Sequence, residues 1–185
     1  MIFMGIDPGL TGAIAWVEWN DGDKQATLLH LADWPTIETR WGNGKTRRIT
    51  DFAVLKSHTT LRRIHWVHIE RVSASPQMGV TSAFRFGEAY GAGLMFAAMI
   101  SPSVHAVVPQ VWKRAYGFPK GAGKELMREA AVEVCPNAAT FVRRKKDADR
   151  AEAILIALHA TSIAREYAAK HTPKLEGADA GKTNS

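Results

Sequence analysis

Gly5-Ile6-Asp7-Pro8-Gly9-Leu10-Thr11-Gly12 decides how this chain is read. Residues 2–7 are an apolar run that closes on an acid, and Pro8-Gly9 turns the chain at once. A carboxylate at the end of a buried strand is costly unless something compensates it. Two further stretches repeat the pattern. Glu70 ends Trp66-Val67-His68-Ile69-Glu70, and Asp149 and Glu152 lie in Lys145-Lys146-Asp147-Ala148-Asp149-Arg150-Ala151-Glu152-Ala153.

Working outward, residues 2–7 predict a first strand and residues 12–19 a second. Asn20-Asp21-Gly22-Asp23 is a hairpin signal, and residues 25–32 pair back as a third. Residues 34–48 lose periodicity and predict a loop, rich in Arg40, Lys45, Arg47 and Arg48 beside Trp34 and Trp41. Thr50-Asp51-Phe52 starts a helix reaching to about Arg63. Residues 66–70 form a fourth strand, residues 80–100 a long helix rich in small residues, and residues 104–108 a fifth strand stopped by Pro109. Helices follow near 110–116 and 123–135, and a last one runs from about 148 to 169. Three strands followed by strands alternating with helices predict an α/β fold, a mixed sheet with helices packed on it. Beyond His171 the chain is polar and reads as a disordered tail, residues 171–185, after one domain over residues 1–170.

With 185 residues the chain suffices for one well-cored domain. Its 46% hydrophobic and 23% charged residues are an ordinary globular balance. A net charge of +6 and a pI near 9.6 fit a polyanionic partner. One cysteine, Cys135, excludes an internal disulfide framework and a cysteine-based zinc site, and reads as a buried thiol. Met1-Ile2-Phe3-Met4 has no basic flank, Asp7 follows too soon for a signal peptide, and Gly91 to Ile100 is too short to span a bilayer. The expectation is a cytoplasmic protein with no membrane partner.

Open mixed sheets gather ligands at strand ends, where this order puts Asp7 and Glu70. Asp149 and Glu152 are three apart on a helix and share a face, which Ile156 and His159 continue inward. Four carboxylates in a small volume raise one another's pKa, and a divalent cation removes that penalty. Magnesium prefers oxygen ligands and keeps water, which suits attack on a phosphodiester. Each acid alone has an ordinary reading: Asp7 as a turn acid, Asp147 or Asp149 as a helix cap. Asp147 competes with Asp149 as the ligand but lies off the Glu152 face, so Asp149 ranks first. Arg143-Arg144-Lys145-Lys146 abuts the acids and would draw phosphate toward them. Contacts from these residues, and from Arg47 and Arg48, would be salt-sensitive and blind to sequence. Trp41 could stack on a base or sugar, whereas Trp16, Trp19 and Trp66 read as core.

These stretches resemble the RuvC family of Holliday-junction resolvases, in particular the RuvC-like proteins of bacteriophages. Gly5 to Gly12 is similar to the family's opening strand and turn, Ile69-Glu70-Arg71-Val72 to its second acid segment, and Asp149-Arg150-Ala151-Glu152-Ala153 to its final acidic helix. Phe84-Arg85-Phe86-Gly87-Glu88-Ala89-Tyr90-Gly91 and Val108-Pro109-Gln110-Val111-Trp112-Lys113 resemble segments of the phage members. The resemblance implies a ribonuclease H-like fold, with a five-stranded mixed sheet flanked by helices. It implies a homodimer, with the 80–100 helix at its interface, acting on four-way or other branched DNA in the cytoplasm, that of a bacterial host for a phage protein. It implies two Mg2+ ions, replaceable by Mn2+, held by Asp7, Glu70, Asp149 and Glu152, and phosphodiester hydrolysis leaving 5′-phosphates. Lys113 and Lys124 look like the family's basic residues near the scissile phosphate, Lys124 among the catalytic ones. The chain departs from the family at Ser73, where bacterial members carry a wedging aromatic, at Glu152, and in the basic 40–48 segment. The opening turn also resembles the phosphate loop of actin-like ATPases and sugar kinases, which need a second lobe that this length does not hold. A non-catalytic branched-DNA binder is the third reading. An ATP-turnover assay separates the kinase reading, and adding magnesium to a bound junction separates the binder.

Overall fold

The computed structural model describes residues 1–42, 44–60, 63–74 and 76–171. The predicted tail beyond residue 171 and Arg62, at the end of the predicted helix, lie outside them. The central strand β1 (Ile2–Asp7) pairs antiparallel with β2 (Ala13–Glu18) and parallel with β6 (Trp66–Glu70). β3 (Thr27–Asp33) lies outside β2 and β7 (Val104–Val107) outside β6, giving the order β3-β2-β1-β6-β7. This is the five-stranded mixed sheet the strand order predicts.

Strand alternation divides the core in two. Met4, Ile6, Ile14, Trp16, Val67 and Ile69 pack on the face covered by α1 (Phe52–Ser57) and α2 (Val80–Ile100). Phe3, Ala13, Ala15 and Val17 point the other way. There they meet α4 (Lys124–Val134), α5 (Ala148–Leu158) and α6 (Ser162–His171), with Trp112 of α3 (Pro109–Ala115). The same parity sends Asp7 and Glu70 to the α5 face. Gly5 lets α5 lie directly on β1: a Cβ there would stand 1.9 Å from the Ala153 carbonyl oxygen and 2.5 Å from the Ala157 nitrogen. Nearly every α5 residue from Ala151 to Leu158 is therefore buried.

Four expectations are corrected. Residues 34–48 are not a loop: β4 (Thr36–Arg40) and β5 (Thr46–Thr50) form a separate two-stranded antiparallel ribbon. Its β-branched Thr and Ile positions pair across the ladder, and Gly44 turns it with φ +74°. The helix expected to reach Arg63 ends at Ser57 and passes into a short 3-10 turn over His58–Thr60. The last helix is two, because the Thr161 hydroxyl donates to the Leu158 carbonyl at 2.6 Å and closes α5. Trp66 is not core: it is 39% exposed and stacks on His105, because the β6 residues facing α5 outrun the cover that helix provides. Cys135 is buried at the end of α4, as expected, and Trp16 and Trp19 are core.

Candidate active site

β1 and β6 run parallel, with Gly5 opposite His68 and Ile6 opposite Ile69. One further step of this register sets Asp7 beside Glu70, on strands about 4.8 Å apart. The turn after Asp7 is tight because residue 12 is glycine: a Cβ there would meet the Asp7 carbonyl oxygen at 1.9 Å. The Gly12 N–H closes the turn on the Gly9 carbonyl at 3.0 Å. Above this turn, the first helical turns of α5 present Asp149 and Glu152. A helix N-terminus favours carboxylates there.

Asp7, Glu70 and Asp149 line one open cleft of about 460 Å³, together with the turn from Pro8 to Gly12 and with Lys124. The Asp7 carboxyl is held well above the usual carboxylate range by burial, then by repulsion from Glu70, Glu152 and Asp149, against the opposing Lys113. Glu70 and Glu152 are raised chiefly by burial, and Lys113 counters both. All four predicted acids therefore feel one another. Two lysines answer them. Lys124 Nζ donates to Asp149 Oδ1 at 3.0 Å, and its pKa rises for that reason. Lys113 Nζ stands 3.8 Å from Glu152 Oε2 and 4.9 Å from the centre of the Trp112 ring.

Asp147 is not part of this group. Its carboxylate accepts from the Arg144 backbone N–H at 2.9 Å and from the Arg144 guanidinium at 3.0 and 3.1 Å. These bonds hold its pKa down to about 2 and make it the fastening of the turn before α5. Arg144 is correspondingly engaged, while Arg143, Lys145 and Lys146 are exposed along the same edge. Arg47, Arg48 and Trp41 lie on the ribbon instead.

Three features of the site escaped the sequence reading. Trp112, fully buried, donates its indole N–H to Glu70 Oε2 at 2.6 Å. The signal was an indole one residue before Lys113, whose N–H must find an acceptor once buried. Ser82, Arg85 and Phe86 of α2 complete the cleft wall. Arg150 forms a two-pronged pair with Asp33 at 2.6 and 2.7 Å, tying the first turn of α5 to the end of β3.

The donor set is all oxygen, and its buried acids repel one another, which is the chemistry of a hard divalent cation. Among the described residues, no group of three or more His, Cys, Asp or Glu side chains is arranged to hold a metal ion. The ammonium groups of Lys113 and Lys124 stand against two of the acids instead. In donor chemistry the residues fit the ion, and the lysines are the cations it would join or displace.

Order of strands, helices on both faces and carboxylates at the ends of β1 and β6 define a ribonuclease H-like fold. Two known structures share it. Thermus thermophilus RuvC aligns at 23% identity over 90% of this chain and 96% of that one, with a TM-score of 0.58. T. thermophilus RuvC in complex with Holliday junction substrate aligns at 24% identity over 91% and 97%, with a TM-score of 0.55. Fowlpox virus resolvase, in a complex with Holliday junction DNA, aligns at 16% identity over 84% and 94%, with a TM-score of 0.47. No protein-family model and no curated protein sequence matches the chain. Among the described residues, no helix is long and apolar enough to cross a membrane.

Proposed function

We propose that this chain is a divalent-metal-dependent endonuclease that resolves Holliday junctions or other branched DNA, leaving 5′-phosphates. The observation that carries the reading is the gathering of Asp7, Glu70 and Asp149 in one cleft with Lys124, with Glu152 and Lys113 paired beside it. The fold is that of a RuvC whose structure holds a Holliday junction substrate, which favours branched DNA over other phosphodiesters. Bound Mg2+, as two ions or replaced by Mn2+, would lower the pKa of attacking water and offset charge on the phosphate. Asp7, Glu70, Asp149 and Glu152 would be its ligands. Trp112 orients the Glu70 carboxylate, and Lys113 and Lys124 receive the scissile phosphate at the cleft rim. Arg143, Lys145 and Lys146 extend that positive edge along the DNA backbone.

The homodimer belongs to the same reading. α2 exposes Phe84 (74%), Met95 (65%) and Met99 (58%), and a Cβ at Gly87 or Gly91 would meet nothing within 4 Å. That outward face is unobstructed and, apart from Glu88, built of small and apolar residues, as a second helix would need. Sedimentation at micromolar concentration should give a dimer, and a monomer would end that part of the reading.

The deciding experiment incubates the chain with labelled four-way, Y-shaped and linear DNA, with and without magnesium. Cutting of branched DNA only when the ion is present supports the proposal. No cutting with Mg2+ or Mn2+, or equal cutting by Asp7→Asn, ends it. ATP turnover would favour the kinase-like reading instead.

A further inference from the structure

The β4–β5 ribbon is a second feature of this chain that demands an occupant. Across it Ile37 pairs with Ile49, Glu38 with Arg48, Thr39 with Arg47 and Arg40 with Thr46. Directly paired residues share a face, so Arg47 lies with Thr39 and the two isoleucines, while Arg40, Glu38 and Arg48 lie on the other. The Arg47 guanidinium sits 4.7 Å above the Trp41 ring, at the tip. Trp41 at the tip is 52% exposed, and Glu38, Arg40, Thr46 and Arg48 leave one face of the ribbon open, while Thr39, Arg47 and Ile49 on the other are half-buried. The ribbon carries Arg40, Lys45, Arg47 and Arg48 against a single acid, Glu38.

A two-stranded ribbon is marginal by itself. Its root is nevertheless fastened. Thr50 is buried and its hydroxyl accepts from the Trp34 indole at 3.1 Å, and the Trp34 N–H donates to the Gly12 carbonyl at 2.7 Å. The Arg48 guanidinium donates to the Leu10 carbonyl. Leu10 and Gly12 belong to the turn that walls the carboxylate cleft. The ribbon is thus attached to the turn that follows Asp7.

We infer that this ribbon is a DNA-gripping arm, laid along the duplex that adjoins the carboxylate cleft. Arg40 and Arg47 meet the phosphates while Arg48 holds the root, and Trp41 stacks on a sugar or base at the tip. Charge complementarity names the occupant: four cations against one acid suit a polyanion. Continuity with the cleft wall puts that polyanion on the same molecule the cleft would cut. A two-stranded ribbon also matches the width of a major groove. The inference rests on the nuclease reading for the identity of the DNA, and adds to it a contact surface separate from the acids.

The test measures binding without cleavage. Full-length chain is titrated against a fluorescent four-way junction in EDTA, over a series of salt concentrations. Trp41→Ala should weaken binding by roughly 5- to 100-fold, and Trp41→Phe should retain most of the affinity. Arg47→Ala should lower the slope of log K against log salt by about one, as loss of one phosphate contact requires. Arg165→Ala, an exposed change on α6, should leave both quantities alone. Ribbon variants that bind with wild-type affinity and slope overturn the inference and point to an acidic protein as the partner, while the nuclease reading stands. Wild-type protein that binds no DNA overturns both.

Discussion

The indole N–H of Trp112 reaches Glu70 Oε2 at 2.6 Å, from the second turn of α3 to the last residue of β6. The bond lowers the pKa of a carboxyl that burial raises. Trp112→Phe keeps the ring and removes the donor. Cleavage should fall roughly 10- to 100-fold, as when the partner of a metal-bound group is removed, with junction affinity in EDTA unchanged. Cleavage at the wild-type rate would show that the indole only fills the core.

Burial, and then Glu70, Glu152 and Asp149, hold the Asp7 carboxyl above its usual range. Its pKa is raised in the folded chain, so its charge destabilises the fold at neutral pH. Asp7→Asn should therefore raise the melting temperature of the metal-free protein, by roughly 2–4 °C for each kcal/mol relieved. Millimolar Mg2+ or Mn2+ should raise the melting temperature of the wild type but not of the variant. Cleavage should drop on the order of 10²-fold or more. A variant that melts below the wild type, or a wild type indifferent to both ions, contradicts this account of the acids.

Gly5 sets the distance between β1 and the helix that carries Asp149 and Glu152. An alanine Cβ would overlap backbone atoms of Ala153 and Ala157, which cannot rotate aside. Gly5→Ala should cost about 3 kcal/mol or more, at the upper end of overpacking. Folded material should also lose cleavage, because α5 must lift away from Asp7. Denaturant unfolding with an unchanged midpoint would refute the close packing.

Asp7 and Glu70 are legible in the sequence because each closes an apolar strand, and strand parity then puts both on one face. Asp149 is legible because it shares a helical face with Glu152. Asp147, the alternative to it, is engaged by Arg144. The ribbon was not legible: Arg47 and Arg48 fall on opposite faces and the isoleucines share a face with Arg47, so no apolar side marks it as a strand. The break between α5 and α6 was hidden for another reason. No Pro or Gly marks it, and the bond from Thr161 to Leu158 that closes α5 is a local competition invisible to periodicity. Trp112 was missed because its partner lies 42 residues away, across the sheet edge.

His68 shares the inward stripe of β6 with Glu70, one step further from the cleft, and gives the fold a pH dependence of its own. Its Nδ1 bonds the Ala157 carbonyl at 2.9 Å, and its ring lies between Phe3 and His159. Burial, then His159, depress its pKa to about 4, against the pull of the Ala157 carbonyl. The unfolded chain, with an ordinary histidine near 6.5, then binds more protons than the folded one between those values. Stability should fall as pH drops from about 6.5 to about 4 and level off below, a loss of about 3 kcal/mol from this residue. His159 and His58 are also depressed by burial and act in the same direction. Replacing His68 by Phe or Leu removes the titrating group whatever it does to packing. Urea midpoints measured from about pH 7.5 to about pH 4 should slope less steeply in either variant than in the wild type. Equal slopes would mean that the acid-sensitive proton is taken up elsewhere.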